Sequence, residues 1–185
     1  MKVPPHPLFL MHSIPCLLTL TLLLLSPPTS YAEDSWYLQD IRIPGNLNVS
    51  PDTTPLTIAI VDDGIRLTHQ TLQGFIWTNP REIPGNRRDD DGNGHIDDIH
   101  GWDFGDNDPD VAAPSHRTAD FYHGTHIASI ITRIAQEAYG KEATKVLQIM
   151  PIKTLSDASP TTYLKQAYSG IEYALENGAD IILCA

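Results

Sequence analysis

Six residues, Leu56-Thr57-Ile58-Ala59-Ile60-Val61, set the tightest limit on how this 185-residue chain can fold. They form a nearly continuous apolar run that stops on Asp62-Asp63-Gly64. A strand with one wet face alternates apolar and polar side chains, so a run without alternation is expected of a strand buried on both faces, as in a parallel sheet. Parallel neighbours need long crossover connections, and the rest of the chain supplies them. From Gly124 to about Tyr139, the residues Ile127, Ala128, Ile130, Ile131, Ile134, Ala135 and Ala138 recur at helical spacing, and Gly140 ends the run. Val146 to Ile152 reads as a second strand. Thr161 to Glu176 reads as a second helix, with Leu164, Ala167, Tyr168, Ile171, Ala174 and Leu175 on its inner face and Asn177-Gly178 as its stop. Ala179 to Ala185 opens a third apolar strand, which would stand as an exposed hydrophobic edge. The order strand, helix, strand, helix, strand predicts an α/β fold, a parallel sheet with helices on both faces.

Residues 1–32 are set apart from this pattern. Lys2 precedes an apolar run from Ile14 to Leu25, followed by Ser26-Pro27-Pro28 and the small-x-small site Ser30-Tyr31-Ala32. A positive start, a short greasy core and a small-residue cleavage site predict a secretory signal peptide, hence an exported protein, secreted or periplasmic. The 12-residue run is short of the ~20 residues that span a bilayer as a helix, and a retained anchor is the alternative. Residues 33–185 keep 11 basic against 23 acidic side chains, a net charge of −12. That balance argues against nucleic acid as a partner. Only Cys184 remains after Ala32, so no intrachain disulfide is expected, and stability would rest on the core and on bound ions.

In open parallel sheets, ligands bind beyond the carboxyl ends of the strands. Asp62 is predicted to sit there, after six apolar residues, where a carboxylate needs a cationic or hydrogen-bonding partner. Downstream, His123-Gly124-Thr125-His126-Ile127-Ala128-Ser129 sets a histidine where a helix begins, and Gly124 leaves room for close approach. The positive end of a helix disfavours imidazolium. A facing carboxylate would offset that and hold the ring in the tautomer whose free nitrogen accepts a proton. Asp62 and His123 are therefore the candidate catalytic residues. Singly, each has a bland reading, as a turn residue and as a helix-capping or surface residue; the pair in matching contexts points to catalysis. His123 and His126 could also pair on a metal, but no Glu follows the first His as in H-E-x-x-H, which argues against zinc.

On these residues the chain resembles the N-terminal half of a subtilisin-like serine peptidase domain (subtilase, peptidase S8). Ile58 to Gly64 resembles the family's Asp motif, with Asp63 where Ser or Thr is usual, and His123 to Ala128 resembles its His motif, with Ser129 in place of a usual Gly. The likeness continues through Ile149 to Lys153, Gly170 to Ala174 and Asn177 to Ile182, so it covers essentially residues 33–185. It implies a subtilisin-like three-layer fold, Asp62 as orienting acid, His123 as general base, and His126 as a structural residue with its ring packed and hydrogen-bonded. It also implies that residues around Leu155 to Pro160 approach a peptide-binding cleft, where Ala158-Ser159-Pro160 departs from a Gly-rich segment. The implied activity is endopeptidase cleavage of protein or peptide substrates by an Asp/His/Ser triad, with an Asn steadying the oxyanion. The Gly-Thr-Ser-x-Ala setting of the nucleophile does not occur in the sequence, whose Gly124-Thr125 leads instead to His126. Residues 1–185 by themselves are thus expected to be inactive, as an incomplete gene model, a frameshift or a real truncation would each explain. The alternative is a non-catalytic, calcium-binding truncated or degenerate relative. Trp36-Tyr37-Leu38 already resembles the start of the domain, so no prosegment is expected before it.

Residues 79–122 are rich in Asp, Gly, Asn and Pro and read as one long irregular loop, a length usually tied to function. Within it, counting Asp89 as position 1 of a calcium loop puts Asp91, Asn93 and Asp97 at positions 3, 5 and 9, Gly94 at the turn and Ile96 as an apolar anchor. His100 stands at position 12 in place of Glu, and Asp98 is the candidate substitute. The expected cofactor is a structural Ca2+ held by Asp89, Asp91, Asn93, Asp97 and Asp98. A solvated acidic loop is the alternative. That plainer reading is preferred for the looser group Asp103, Asp106, Asp108 and Asp110.

Overall fold

The computed structural model describes residues 36–158, except 115, 117 and 118, and residues 164–185. The predicted signal peptide, the predicted helix start at Thr161 and the Ser159-Pro160 pair lie outside the described residues. The apolar run forms β1 (Leu56–Asp62), an inner strand of a four-stranded sheet. It pairs in parallel with β3 (Leu147–Lys153) on one side, from Leu56↔Leu147 to Asp62↔Lys153, and with β4 (Ile181–Cys184) on the other. The fourth strand is a short one, β2 (Trp102–Asp103), parallel to the end of β3.

Helices cover both faces. Ile60 and Ile149 pack with Ala128 and Ala135 of α2 (His123–Tyr139) and Ala143 of the short α3 (Ala143–Val146), together with Leu72 and Phe75. On the opposite face Ala59, Val61, Met150 and Ile152 pack with Tyr173 and Ala174 of α4 (Leu164–Glu176). Successive residues of β1 thus face different cores, which is why the run does not alternate. Each side chain of this size, fully buried, contributes about 1.5–3 kcal/mol. The α/β fold with a parallel sheet and helices on both faces is therefore observed.

Three details differ from the sequence reading. The 79–122 segment is not wholly irregular, because Trp102 and Asp103 join the sheet; two residues are too few to show a periodic pattern. Trp36-Tyr37-Leu38, read only as resembling the start of the domain, open a short helix, α1 (Trp36–Asp40). In α4, Tyr168 and Leu175 are 65% and 63% exposed, whereas Gly170, Tyr173 and Ala174 are buried. A small residue turns the helix this way. A Cβ on Gly170 would lie 2.8 Å from Ile152 Cγ2, so glycine lets the helix approach the sheet and brings Tyr173 inside. Among the described residues, no helix is long and apolar enough to cross a membrane.

Candidate active site

The connection from β1 to β3, after passing through β2, carries α2 on one face, and the connection from β3 past β1 to β4 carries α4 on the other. Neighbouring strands whose connections depart to opposite faces open a crevice at their carboxyl ends, where α/β proteins bind ligands. Asp62 ends β1 at that crevice, and Lys153 ends β3 beside it.

The structure brings Asp62 and His123 together. His123 is the first residue of α2, and its Nδ1 lies 2.8 Å from Asp62 Oδ2. The acid side chain is 5% exposed and the imidazole 49%. Asp62 is held on every side. Its Oδ1 accepts the Asp63 amide at 2.6 Å, and its carbonyl accepts the Thr154 amide at 2.9 Å and the Thr154 hydroxyl at 3.2 Å. Burial pushes the Asp62 carboxyl above its ordinary range and the neighbouring charge of Asp63 adds to this, against the hydrogen bonds from the Asp63 amide and His123. With Nδ1–H donated to Asp62, Nε2 is the ring's acceptor. His126, by contrast, is exposed. The buried stripe of α2 runs through Gly124, Ala128, Thr132, Ala135 and Ala138, and position 126 falls off it, so the packed ring implied by resemblance is not found.

The acidic loop divides into two kinds of residue. Asp89 Oδ1 accepts the amides of Gly92 and Asn93 and its Oδ2 that of Gly94, and these bonds, the one from Gly94 foremost, hold its carboxyl below the ordinary range. Asp97 accepts the amides of Gly85, Asn86 and Arg87. Both shape the loop. Asp91 and Asp98 instead converge on Glu82, with one carboxylate oxygen from each within 4.8 Å of the others. Asn93 Nδ2 reaches Asp98 at 2.9 Å, Asn79 Nδ2 bridges Asp91 and Asp98, and the Tyr173 hydroxyl donates to Asp98 at 2.6 Å. Glu82 is 7% exposed, and its Oε2 is buried without a hydrogen-bond partner. A buried carboxylate oxygen left in this state is costly unless a cation meets it, so the donor set fits a hard metal ion. Among the described residues no helix flanks this loop, and Ile96, expected as its apolar anchor, is 49% exposed.

A second acidic group joins Asp103, Asp106 and Asp157. Here Lys153 Nζ, fully buried, lies 2.7 Å from Asp103 Oδ2 and also bonds Asp157. Burial alone would lower the Lys153 ammonium, and its bonds to Asp103 and Asp157 more than reverse that, holding it above its ordinary value. Burial outweighs Lys153 at Asp103, whose carboxyl is pushed up to about 6.

Glu82, Asp157 and Lys153 were not found in the sequence. Glu82 has no spacing that ties it to Asp91. Lys153 did carry a signal, since a lone charge ending an apolar strand needs a partner, as Asp62 does.

The subtilase family model matches residues 54–185. Subtilisin-like protease 1 of Plasmodium falciparum is 30% identical over 126 residues, which is 68% of this chain and 17% of that protein. Subtilisin-like protease 1 of Plasmodium vivax is 29% identical over 68% of this chain and 19% of its own length. Thermitase of Thermoactinomyces vulgaris is 29% identical over 68% of this chain and 35% of its own. The matched region thus spans 17–35% of the length of these relatives. With the parallel sheet and the strand-end motifs, this match settles the kinship: the chain belongs to the subtilase family of serine peptidases.

Proposed function

We propose that this chain supplies the acid and the base of a serine endopeptidase acting on protein or peptide substrates, with Asp62 orienting His123 and His123 as general base. In this reading the protein is exported, residues 1–32 are its signal peptide, and residues 33–185 are the N-terminal part of its peptidase domain. The observation that carries the reading is the 2.8 Å bond from His123 Nδ1 to the buried Asp62 carboxylate at the strand-end crevice. Asp62 fixes the tautomer and leaves Nε2 to take the proton of an attacking hydroxyl, then stabilises the imidazolium that forms. The low-dielectric surroundings of Asp62 strengthen that second effect.

The hydroxyl must come from a Ser in the Gly-Thr-Ser-x-Ala setting, which residues 1–185 do not contain. Loss of the nucleophile from a triad of this type costs about 10⁶-fold in turnover. Purified residues 33–185 are therefore expected to show no steady peptide hydrolysis, and a steady rate that survives repurification would overturn that assignment. The second reading is a non-catalytic, calcium-binding relative. Hydrolysis by the natural gene product separates the two.

Glu82, Asp91 and Asp98 would hold a structural calcium ion, with Asn93 beside them and Asp89 and Asp97 shaping the loop around it. Calcium takes six to eight oxygen ligands in flexible geometry, and when bound it would cross-link the Glu82 turn to the 89–98 loop.

A further inference from the structure

Asp63 follows the candidate acid and stands where the resemblance leads one to expect Ser or Thr. Its carboxylate is buried, and both oxygens are engaged by the start of α2. Oδ2 accepts the His123 amide at 2.9 Å, and Oδ1 accepts the Gly124 amide at 2.8 Å. The first amides of a helix have no partner within the helix and are normally met by Ser, Thr, Asp or Asn at the preceding position. Here that position is Tyr122, which makes no side-chain cap bond. The cap comes instead from 60 residues upstream.

The four hydrogen bonds form a closed circuit. The Asp63 amide donates to Asp62 Oδ1, Asp62 Oδ2 meets His123 Nδ1, and the His123 and Gly124 amides return to the Asp63 carboxylate. A second observation shows how little slack the circuit has. A Cβ on Gly124 would lie 2.6 Å from the Gly64 carbonyl oxygen and 3.2 Å from Asp62 Cβ. The helix start therefore rests against the strand end, and rotation of α2 would carry the imidazole away from Asp62. The single oxygen of Ser or Thr could not replace a two-oxygen cap spread over successive amides. A carboxylate also suits the positive end of the helix.

We propose that Asp63 is a positioning residue: by capping α2 from β1, it fixes the helix start and so sets the Asp62–His123 hydrogen bond. The inference rests on the reading of Asp62 and His123 as acid and base, but its test needs no turnover. In NMR of the full chain, Asp63→Ala is expected to speed hydrogen exchange at the His123 and Gly124 amides by about tenfold or more. The downfield Nδ1–H resonance of His123 should broaden or vanish, while amides from Thr132 to Tyr139 keep their protection. Asp63→Asn keeps one acceptor oxygen, so it should leave one of the two amides protected; it also serves if the alanine variant fails to fold. An unchanged Nδ1–H resonance with both amides still protected would overturn the proposal. So would loss of protection spread evenly along α2, which would mark Asp63 as general support. Either result leaves the peptidase reading standing, and absence of hydrolysis by the gene product would leave this result standing.

Discussion

Two acidic clusters, both drawn largely from the same Asp-rich stretch, meet their charge in opposite ways. Asp103, Asp106 and Asp157 enclose a cation of the chain's own, the buried Lys153 ammonium. Glu82, Asp91 and Asp98 have Arg81 at their rim, 3.0 Å from Asp91 and half exposed, and among the described residues nothing meets Glu82 Oε2. Acid content does not separate the two, since each is a trio of carboxylates. What separates them is whether a strand delivers a lysine into the group. The first cluster holds a cation of its own; the second could hold a metal ion.

The largest effect expected from breaking this contrast is at Lys153. Lys153→Met leaves Asp103, itself 1% exposed, as a buried charge without its partner. Such a change destabilises by about 3–5 kcal/mol, read as a drop in the urea midpoint. Lys153→Met combined with Asp103→Leu should recover most of the loss, because an apolar pair of similar volume avoids the desolvation cost. The second cluster should respond to ions instead. Calcium at about 100 times its dissociation constant should stabilise the folded chain by about 2.7 kcal/mol, and excess chelator should remove that gain. Glu82→Gln should abolish most of the calcium response while leaving the effect of Lys153→Met untouched. A melting temperature indifferent to calcium and chelator would reduce both clusters to one kind.

A smaller effect separates them by pH. Asp103 titrates near 6 in the folded chain, above the ordinary 3.8. The folded state thus keeps a proton that the unfolded chain releases between about pH 4 and 6. A one-proton difference changes the unfolding free energy by about 1.4 kcal/mol per pH unit. The sign follows: this group makes stability fall as pH rises through that window. Asp103→Asn should remove that part of the slope, and a slope unchanged by the substitution would contradict the assignment.

The sequence disclosed the sheet and the pair at its edge because those signals are local. An unbroken apolar run ending in Asp62 and a glycine-bearing helix start at His123 each state their surroundings within a few residues. Side-chain convergence across the loop was not local. Asp89 and Asp97 had the spacing of ligands, yet a short polar side chain in a turn bonds the nearest free amides, and theirs are engaged that way. Glu82 reaches Asp91 and Asp98 only through the path of the folded loop. The face of α4 was misjudged at Tyr168 and Leu175 for a related reason. Hydrophobicity marked the large residues, whereas contact with the sheet selected Gly170, the residue small enough to approach it.

The most direct test of the central claim is peptide hydrolysis by the natural product of this gene, purified from the cells that make it and from their medium, with and without His123→Ala. The account predicts hydrolysis by the unaltered protein and a loss of about 10⁶-fold in turnover for the variant, the scale expected when the base of such a triad is removed, with the variant still folded. Equal turnover in the variant, or a folded natural product that cleaves no peptide, would contradict it.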